Sequence, residues 1–148
     1  MPERNNLRLH HVGYATAEIA PMVETYIQRF GYERSTDVIH DPRQTALVQF
    51  LKLPGGTTYL EFVTPDGPRS KLTSVVKRGG GLNHLCYSAG VMEEAIQHLE
   101  ANGMKLFSDP KPAVAFAGRR ICWLLGADQL PVELVERRDD EDACVPGL

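Results

Sequence analysis

The sequence predicts an α+β fold built from two similar halves. Residues 9–14 and residues 82–87 share one order of residue types: Leu, a polar residue, His, an aliphatic residue, a small residue and Tyr. Each segment precedes a helix-like pattern that ends at a glycine, and strand-like patterns follow. Self-similarity of this kind indicates a repeated structural unit, so each half is predicted to run strand, helix and three strands.

Length, charge and cysteine content limit the classes of protein to which this chain can belong. A chain of 148 residues suits a single domain over residues 1–148. The formal net charge is −3 and the basic residues form no stripe, so we expect no nucleic-acid partner. The longest apolar runs have the length of strands, which predicts no membrane-spanning segment. Three widely spaced cysteines argue against a disulfide framework and favour the cytoplasm.

The first predicted module covers residues 7–66. Apolar residues recur at helical spacing over residues 17–30, and Thr16 and Gly31 stand where the two caps of that helix belong. Residues 54–56, Pro-Gly-Gly, predict a hairpin turn between two apolar strands. The predicted strands of this module cover residues 7–15, 38–40, 45–53 and 57–64. A short connecting helix is predicted over residues 71–77.

The second predicted module covers residues 80–136. Its helix is predicted over residues 92–102, with Gly103 closing it. Pro110 and Pro112 predict a loop over residues 109–118, because proline lacks the N–H that a strand ladder needs. The predicted strands cover residues 82–88, 104–107, 119–125 and 130–136. Residues 139–148 are acidic and are predicted to form a flexible tail.

One histidine and one glutamate occupy matched places in the two halves. Glu61 follows His11 by 50 residues, and Glu133 follows His84 by 49 residues. Both glutamates interrupt otherwise apolar strands, where an unpaired charge is costly. Imidazole and carboxylate together suit one divalent ion of Zn, Ni, Co, Mn or Fe, so the repeat predicts a metal site. Taken singly, a histidine or glutamate in a strand is more often a packed or solvent-facing residue.

Four segments of the chain resemble the vicinal oxygen chelate superfamily: residues 9–15, 60–63, 81–87 and 132–134. That superfamily includes glyoxalase I, methylmalonyl-CoA epimerase, extradiol dioxygenases and antibiotic-resistance proteins. The resemblance implies paired βαβββ modules that form a curved, barrel-like mixed sheet around a metal site, and a homodimer. By resemblance, the metal ligands are His11, Glu61, His84 and Glu133.

Within the superfamily, the chain looks most similar to the methylmalonyl-CoA epimerase and glyoxalase-like branch. This implies an isomerase, epimerase or lyase that removes a proton next to a carbonyl group. Glu133 is then the expected base, Glu61 the second base, and Gln49 a hydrogen-bond donor to a substrate oxygen or ligand water. Two features depart from the epimerases, which usually have Gln where this chain has Glu61 and a glutamate where it has Gln49.

Two other functions stay open at this point. A metal-dependent oxygenase usually uses two histidines and one carboxylate, so a fourth protein ligand counts against that function. A protein that binds and sequesters a drug or metabolite often lacks the metal ligands, and all four are present here. We therefore expect an enzyme whose partner is a small-molecule carbonyl compound or acyl thioester.

Overall fold

The structure, a computed structural model, describes residues 6–148. The chain divides into two compact units, and the divisions fall after His10 and after Asn83. Among the described residues, no helix is long and apolar enough to span a membrane.

The elements of the unit of residues 11–83 are β1 (Arg8–Ala15), α1 (Ile19–Phe30), β2 (Glu33–Arg34), β3 (Ile39–Asp41), β4 (Ala46–Lys52), β5 (Tyr59–Pro65) and α2 (Thr73–Lys77). The strands lie in the order β2-β4-β5-β1, and β3 also pairs with β4. β1 and β5 run parallel, and the other pairs are antiparallel.

The second unit comprises residues 6–10 and 84–148 of the described chain. Its elements are β6 (Gly81–Ala89), α3 (Met92–Ala101), β7 (Lys105–Pro112), a single 3-10 turn (Val114–Phe116), β8 (Arg120–Leu125) and β9 (Val132–Glu136). The strands lie in the order β6-β9-β8-β7. β6 and β9 run parallel, while β8 is antiparallel to both of its neighbours.

Each long helix covers one face of its own sheet. In the first unit, Ile19 and Val23 of α1 pack on Leu51, Leu60 and Phe62. In the second unit, Met92, Ala95 and Ile96 of α3 pack on Cys122, Leu124 and Leu134. Because successive strand residues point to opposite faces, the residues between these core positions project from the face away from the helix.

The predicted fold class, α+β with paired βαβββ modules, is confirmed, with β2 as an additional short strand in the first module. Helix α1 starts at Ile19, and its N-cap is Glu18 rather than the expected Thr16. Gly31 does close this helix, with a φ of 80° and its N–H bonded to the carbonyl oxygen of Ile27. That left-handed conformation is one that glycine adopts at little cost.

The prediction of a loop over residues 109–118 was wrong for its first part. Strand β7 continues through Pro110 to Pro112, with register shifts before Ser108 and before Lys111. β7 is the last strand of its order, so a proline there need not interrupt a ladder on its outer side. The irregular pairing accommodates the prolines, and the 3-10 turn follows.

Residues 139–148, for which the composition predicts a flexible tail, pack against other segments of the second unit, to which they belong. Cys144 is fully buried, and its carbonyl oxygen lies 2.9 Å from Nε2 of His10. Asp142 forms an ion pair with Arg119 at 2.8 Å. The N–H of Gly147 donates to the carbonyl oxygen of Ala115 at 2.8 Å. These contacts are long-range in sequence, so composition alone did not indicate them.

Candidate metal centre

In the first unit, His11 of β1 and Glu61 of β5 form a buried pair. The parallel register sets His11 beside Tyr59 and Gly13 beside Glu61, which puts both side chains on the face away from α1. His11 Nε2 lies 3.1 Å from Glu61 Oε1. His11 is fully buried, and Glu61 is only 6% exposed.

In the second unit, His84 of β6 and Glu133 of β9 repeat this arrangement. The register sets Cys86 beside Glu133, so His84, two residues before Cys86, shares the face of Glu133. His84 Nε2 lies 3.5 Å from Glu133 Oε1. Both residues are buried. The sequence repeat therefore corresponds to a repeated pair of side chains.

The chemistry and spacing of each pair fit two ligands of one metal ion. Metal–nitrogen and metal–oxygen bonds of about 2.0–2.2 Å place two neighbouring donor atoms about 3.0–3.4 Å apart. The observed separations are 3.1 Å and 3.5 Å. A separation of 3.1 Å also suits a hydrogen bond from an imidazole N–H to a carboxylate, so metal content separates the two interpretations.

An aromatic ring packs edge-on against each histidine, a feature that the sequence did not reveal. Phe50 of β4 pairs with Glu61 and meets the His11 ring at a centroid distance of 5.4 Å. Trp123 of β8 pairs with Glu133 and meets the His84 ring at 4.9 Å. A signal did exist, because Phe50 precedes Glu61 by 11 residues and Trp123 precedes Glu133 by 10.

The register corrects the expected place of Gln49. Gln49 pairs with Phe62, whereas the next residue, Phe50, pairs with Glu61. Gln49 therefore lies on the face that packs against α1, opposite to that of Glu61. Its side-chain amide donates a hydrogen bond to the carbonyl oxygen of Thr36 at 2.9 Å. In this position Gln49 has a structural role, because its hydrogen bond connects the segment before β3 to β4.

Comparison with known proteins gives matches over most of the chain. The family model described as Glyoxalase/Bleomycin resistance protein/Dioxygenase superfamily matches residues 10–123. The uncharacterized protein YwkD of Bacillus subtilis (strain 168) is 24% identical over 129 residues, which cover 87% of this chain and 96% of that protein. The ethylmalonyl-CoA/methylmalonyl-CoA epimerase of Cereibacter sphaeroides is 24% identical over 119 residues, 79% of this chain and 87% of that protein.

Solved structures show the same fold. A single-residue variant of Streptomyces coelicolor methylmalonyl-CoA epimerase, in complex with 2-nitronate-propionyl-CoA, matches with a TM-score of 0.75 and 24% identity. The match covers 87% of this chain and 96% of that one.

Proposed function

Because the chain belongs to the glyoxalase/bleomycin resistance protein/dioxygenase superfamily, we propose that it is a metal-dependent isomerase, epimerase or lyase. The reaction removes a proton from a carbon next to a carbonyl group. The observation that carries this proposal is the buried His–Glu pair on the same face of each module, at 3.1 Å and 3.5 Å. Buried carboxylates beside imidazoles are costly unless they are paired or bind a metal.

The proposed ligands of one divalent ion, Zn, Ni, Co, Mn or Fe, are His11, Glu61, His84 and Glu133. This donor set of two imidazoles and two carboxylates matches the preferences of these ions. When bound, such an ion stabilises the negative charge that develops on a carbonyl oxygen during proton removal.

The proposed base is Glu133, with Glu61 as the second base. A carboxylate accepts the proton from the carbon next to the carbonyl group and returns it to the same carbon or its neighbour. Each base stands opposite an aromatic residue of the adjacent strand, Trp123 for Glu133 and Phe50 for Glu61. These rings reduce the access of water to the histidines that they contact, which strengthens the electrostatic interactions there.

The proposed substrate is a small acyl thioester or related carbonyl compound. Support comes from the epimerase relatives, whose names specify acyl-CoA compounds. A homodimer in the cytoplasm remains a prediction from the sequence.

The first experiment measures metal. Protein purified without chelators is expected to contain about one divalent ion per chain by elemental analysis, and His84→Ala is expected to lose most of it. Removing one ligand leaves a gap that only water fills. His98→Ala is the matched control, because His98 is exposed on α3. Full metal occupancy in His84→Ala would overturn the ligand assignment.

The second experiment measures proton exchange. With methylmalonyl-CoA in heavy water, deuterium is expected at the carbon next to the thioester carbonyl. Glu133→Gln abolishes this exchange because an amide is not a base, and its metal content is measured alongside because Glu133 is also a proposed ligand. Glu100→Gln, on the exposed side of α3, is the control. Gln49→Ala is expected to lower stability and leave exchange unchanged, since Gln49 faces α1.

The other functions have their own signatures in these assays. Oxygen consumption without exchange would indicate an oxygenase. Tight binding of a small molecule with neither activity would indicate sequestration. Either result would replace the proposed isomerase or lyase function.

A further inference from the structure

Trp123, the single tryptophan of the chain, carries an indole N–H for which the described part of the chain offers no hydrogen-bond acceptor. Its ring meets the His84 ring edge-on, at 4.9 Å and 79°, and it stands opposite Glu133 in the strand register. Its indole nitrogen Nε1 is buried, and no hydrogen-bond partner for it exists among residues 6–148. A buried unpaired donor costs free energy, so such a group needs a physical explanation.

The first module provides an internal comparison. Phe50 occupies the matched position, opposite Glu61, and packs edge-on against His11 at 5.4 Å and 83°. A plain phenyl ring therefore suffices to pack against the histidine of a His–Glu pair. The N–H of Trp123 is not needed for this packing, and it adds a desolvated donor on the same face of the sheet as Glu133.

We propose that Trp123 is a substrate-positioning residue whose indole N–H donates a hydrogen bond to an oxygen atom of the bound substrate. The inference rests on the proposed function. It places the oxygen-bearing acyl group of the substrate next to His84 and Glu133. Indole is a donor only, so it recognises an acceptor such as a carbonyl or carboxylate oxygen. Phe50 offers no donor, so only the His84–Glu133 pair has a neighbouring ring that can donate a hydrogen bond to the substrate.

The chemistry of the donor indicates which ligands it selects. A ligand with an anionic or enolate-like oxygen gives a charge-assisted hydrogen bond, which is stronger than one to a neutral acceptor. A ligand that lacks the oxygen leaves the N–H unpaired. Sites that hydrogen-bond their substrate discriminate against such analogues more strongly than apolar pockets discriminate by size.

The probe pair is 2-nitronate-propionyl-CoA and coenzyme A, which differ in the oxygen-bearing acyl group. Because Trp123 is the only tryptophan, its fluorescence, excited at a wavelength that tyrosine does not absorb, reports on this one position. We expect the nitronate probe to change the emission of the metal-loaded wild-type protein and coenzyme A to leave it nearly unchanged.

The matched variant is Trp123→Phe, which introduces the residue type that the first module uses. Calorimetric titration is expected to show a dissociation constant for the nitronate probe raised about 10- to 100-fold, with that for coenzyme A unchanged. Metal content and the urea midpoint should stay at wild-type values, because the phenyl ring retains the contact with His84. Loss of affinity for the nitronate probe alone is an effect that a purely structural role would not produce.

Three results would overturn the inference. They are an unchanged dissociation constant for the nitronate probe in Trp123→Phe, an equal change for both probes, and a metal-bound wild-type protein whose emission does not respond to the nitronate probe. In the first case the indole N–H takes no part in binding the probe. Failure of the proposed function is distinguishable, because it appears in the wild-type protein as missing metal and missing proton exchange.

Discussion

Replacing Asp142 by asparagine tests how the C-terminal segment is held. Asp142 accepts two hydrogen bonds from Arg119, both at 2.8 Å, and one each from the backbone N–H groups of Arg138 and Cys144. The side chains of Arg119 and Asp142 are only 4% and 10% exposed. An asparagine side chain has the same shape but offers a single acceptor oxygen, so the Arg119 charge remains buried without its counter-ion.

Breaking a buried ion pair by removing one partner costs about 3–5 kcal/mol. We expect Asp142→Asn to lower the free energy of unfolding by about 3 kcal/mol at pH 7. This is the lower end of the range, because the amide oxygen retains part of the hydrogen bonding. Glu24→Gln is the matched control, since its ion pair with Arg34 is half exposed. Exposed pairs contribute about 0–1 kcal/mol, so the control should change stability by less than about 1 kcal/mol.

The pH dependence follows from the pKa of Asp142. Hydrogen bonds from Arg119 hold that pKa well below its usual range, against the opposing effect of burial. A carboxylate whose pKa is lowered on folding stabilises the fold above its unfolded-state pKa, about 3.9, and loses this contribution as the pH falls further. The difference in unfolding free energy between wild type and Asp142→Asn should therefore have its full value at pH 7 and decrease below about pH 4.

The assay is urea unfolding of both variants and wild type, followed by circular dichroism at several pH values from about 3 to 7. A change of less than about 1 kcal/mol at pH 7 for Asp142→Asn would refute the reasoning. So would a difference from wild type that grows as the pH falls.

Two further predictions concern thiols and a glycine. The three cysteines are buried, and burial raises the pKa of the Cys122 thiol to about 12. The native protein should therefore not react with an aromatic disulfide reagent at about pH 8. One fast-reacting thiol would contradict this prediction. Gly80→Ala should lower the unfolding free energy by about 2–4 kcal/mol, because a Cβ would lie 2.4 Å from the Ala15 carbonyl oxygen at a φ of +69°. Gly67→Ala, which has open space, should change it by less than about 0.5 kcal/mol in the same urea titration.

Local sequence patterns were enough to predict most elements and the two His–Glu pairs. Alternation within a strand depends only on neighbouring residues, so the faces of His11 and His84 followed from short segments. The matched spacing to Glu61 and Glu133 followed from the repeat. In the structure each histidine lies 3.1 Å or 3.5 Å from the glutamate of its own module.

The face of Gln49 and the aromatic neighbours of the histidines depend on strand register, which the sequence did not show. A shift of one residue moves a side chain to the other face of a sheet. Gln49 therefore faces α1, while Phe50 shares the opposite face with Glu61. In the same way, Trp123 rather than Cys122 stands opposite Glu133.

Only the tertiary structure decided the course of residues 105–112 and 139–148. A proline pattern predicts a loop unless the strand lies at the end of a sheet, and strand order is a property of the whole unit. An acidic tail is predicted to be flexible unless a buried cation meets it, as Arg119 meets Asp142. Both outcomes depend on contacts between residues far apart in sequence, whose energies no local pattern encodes.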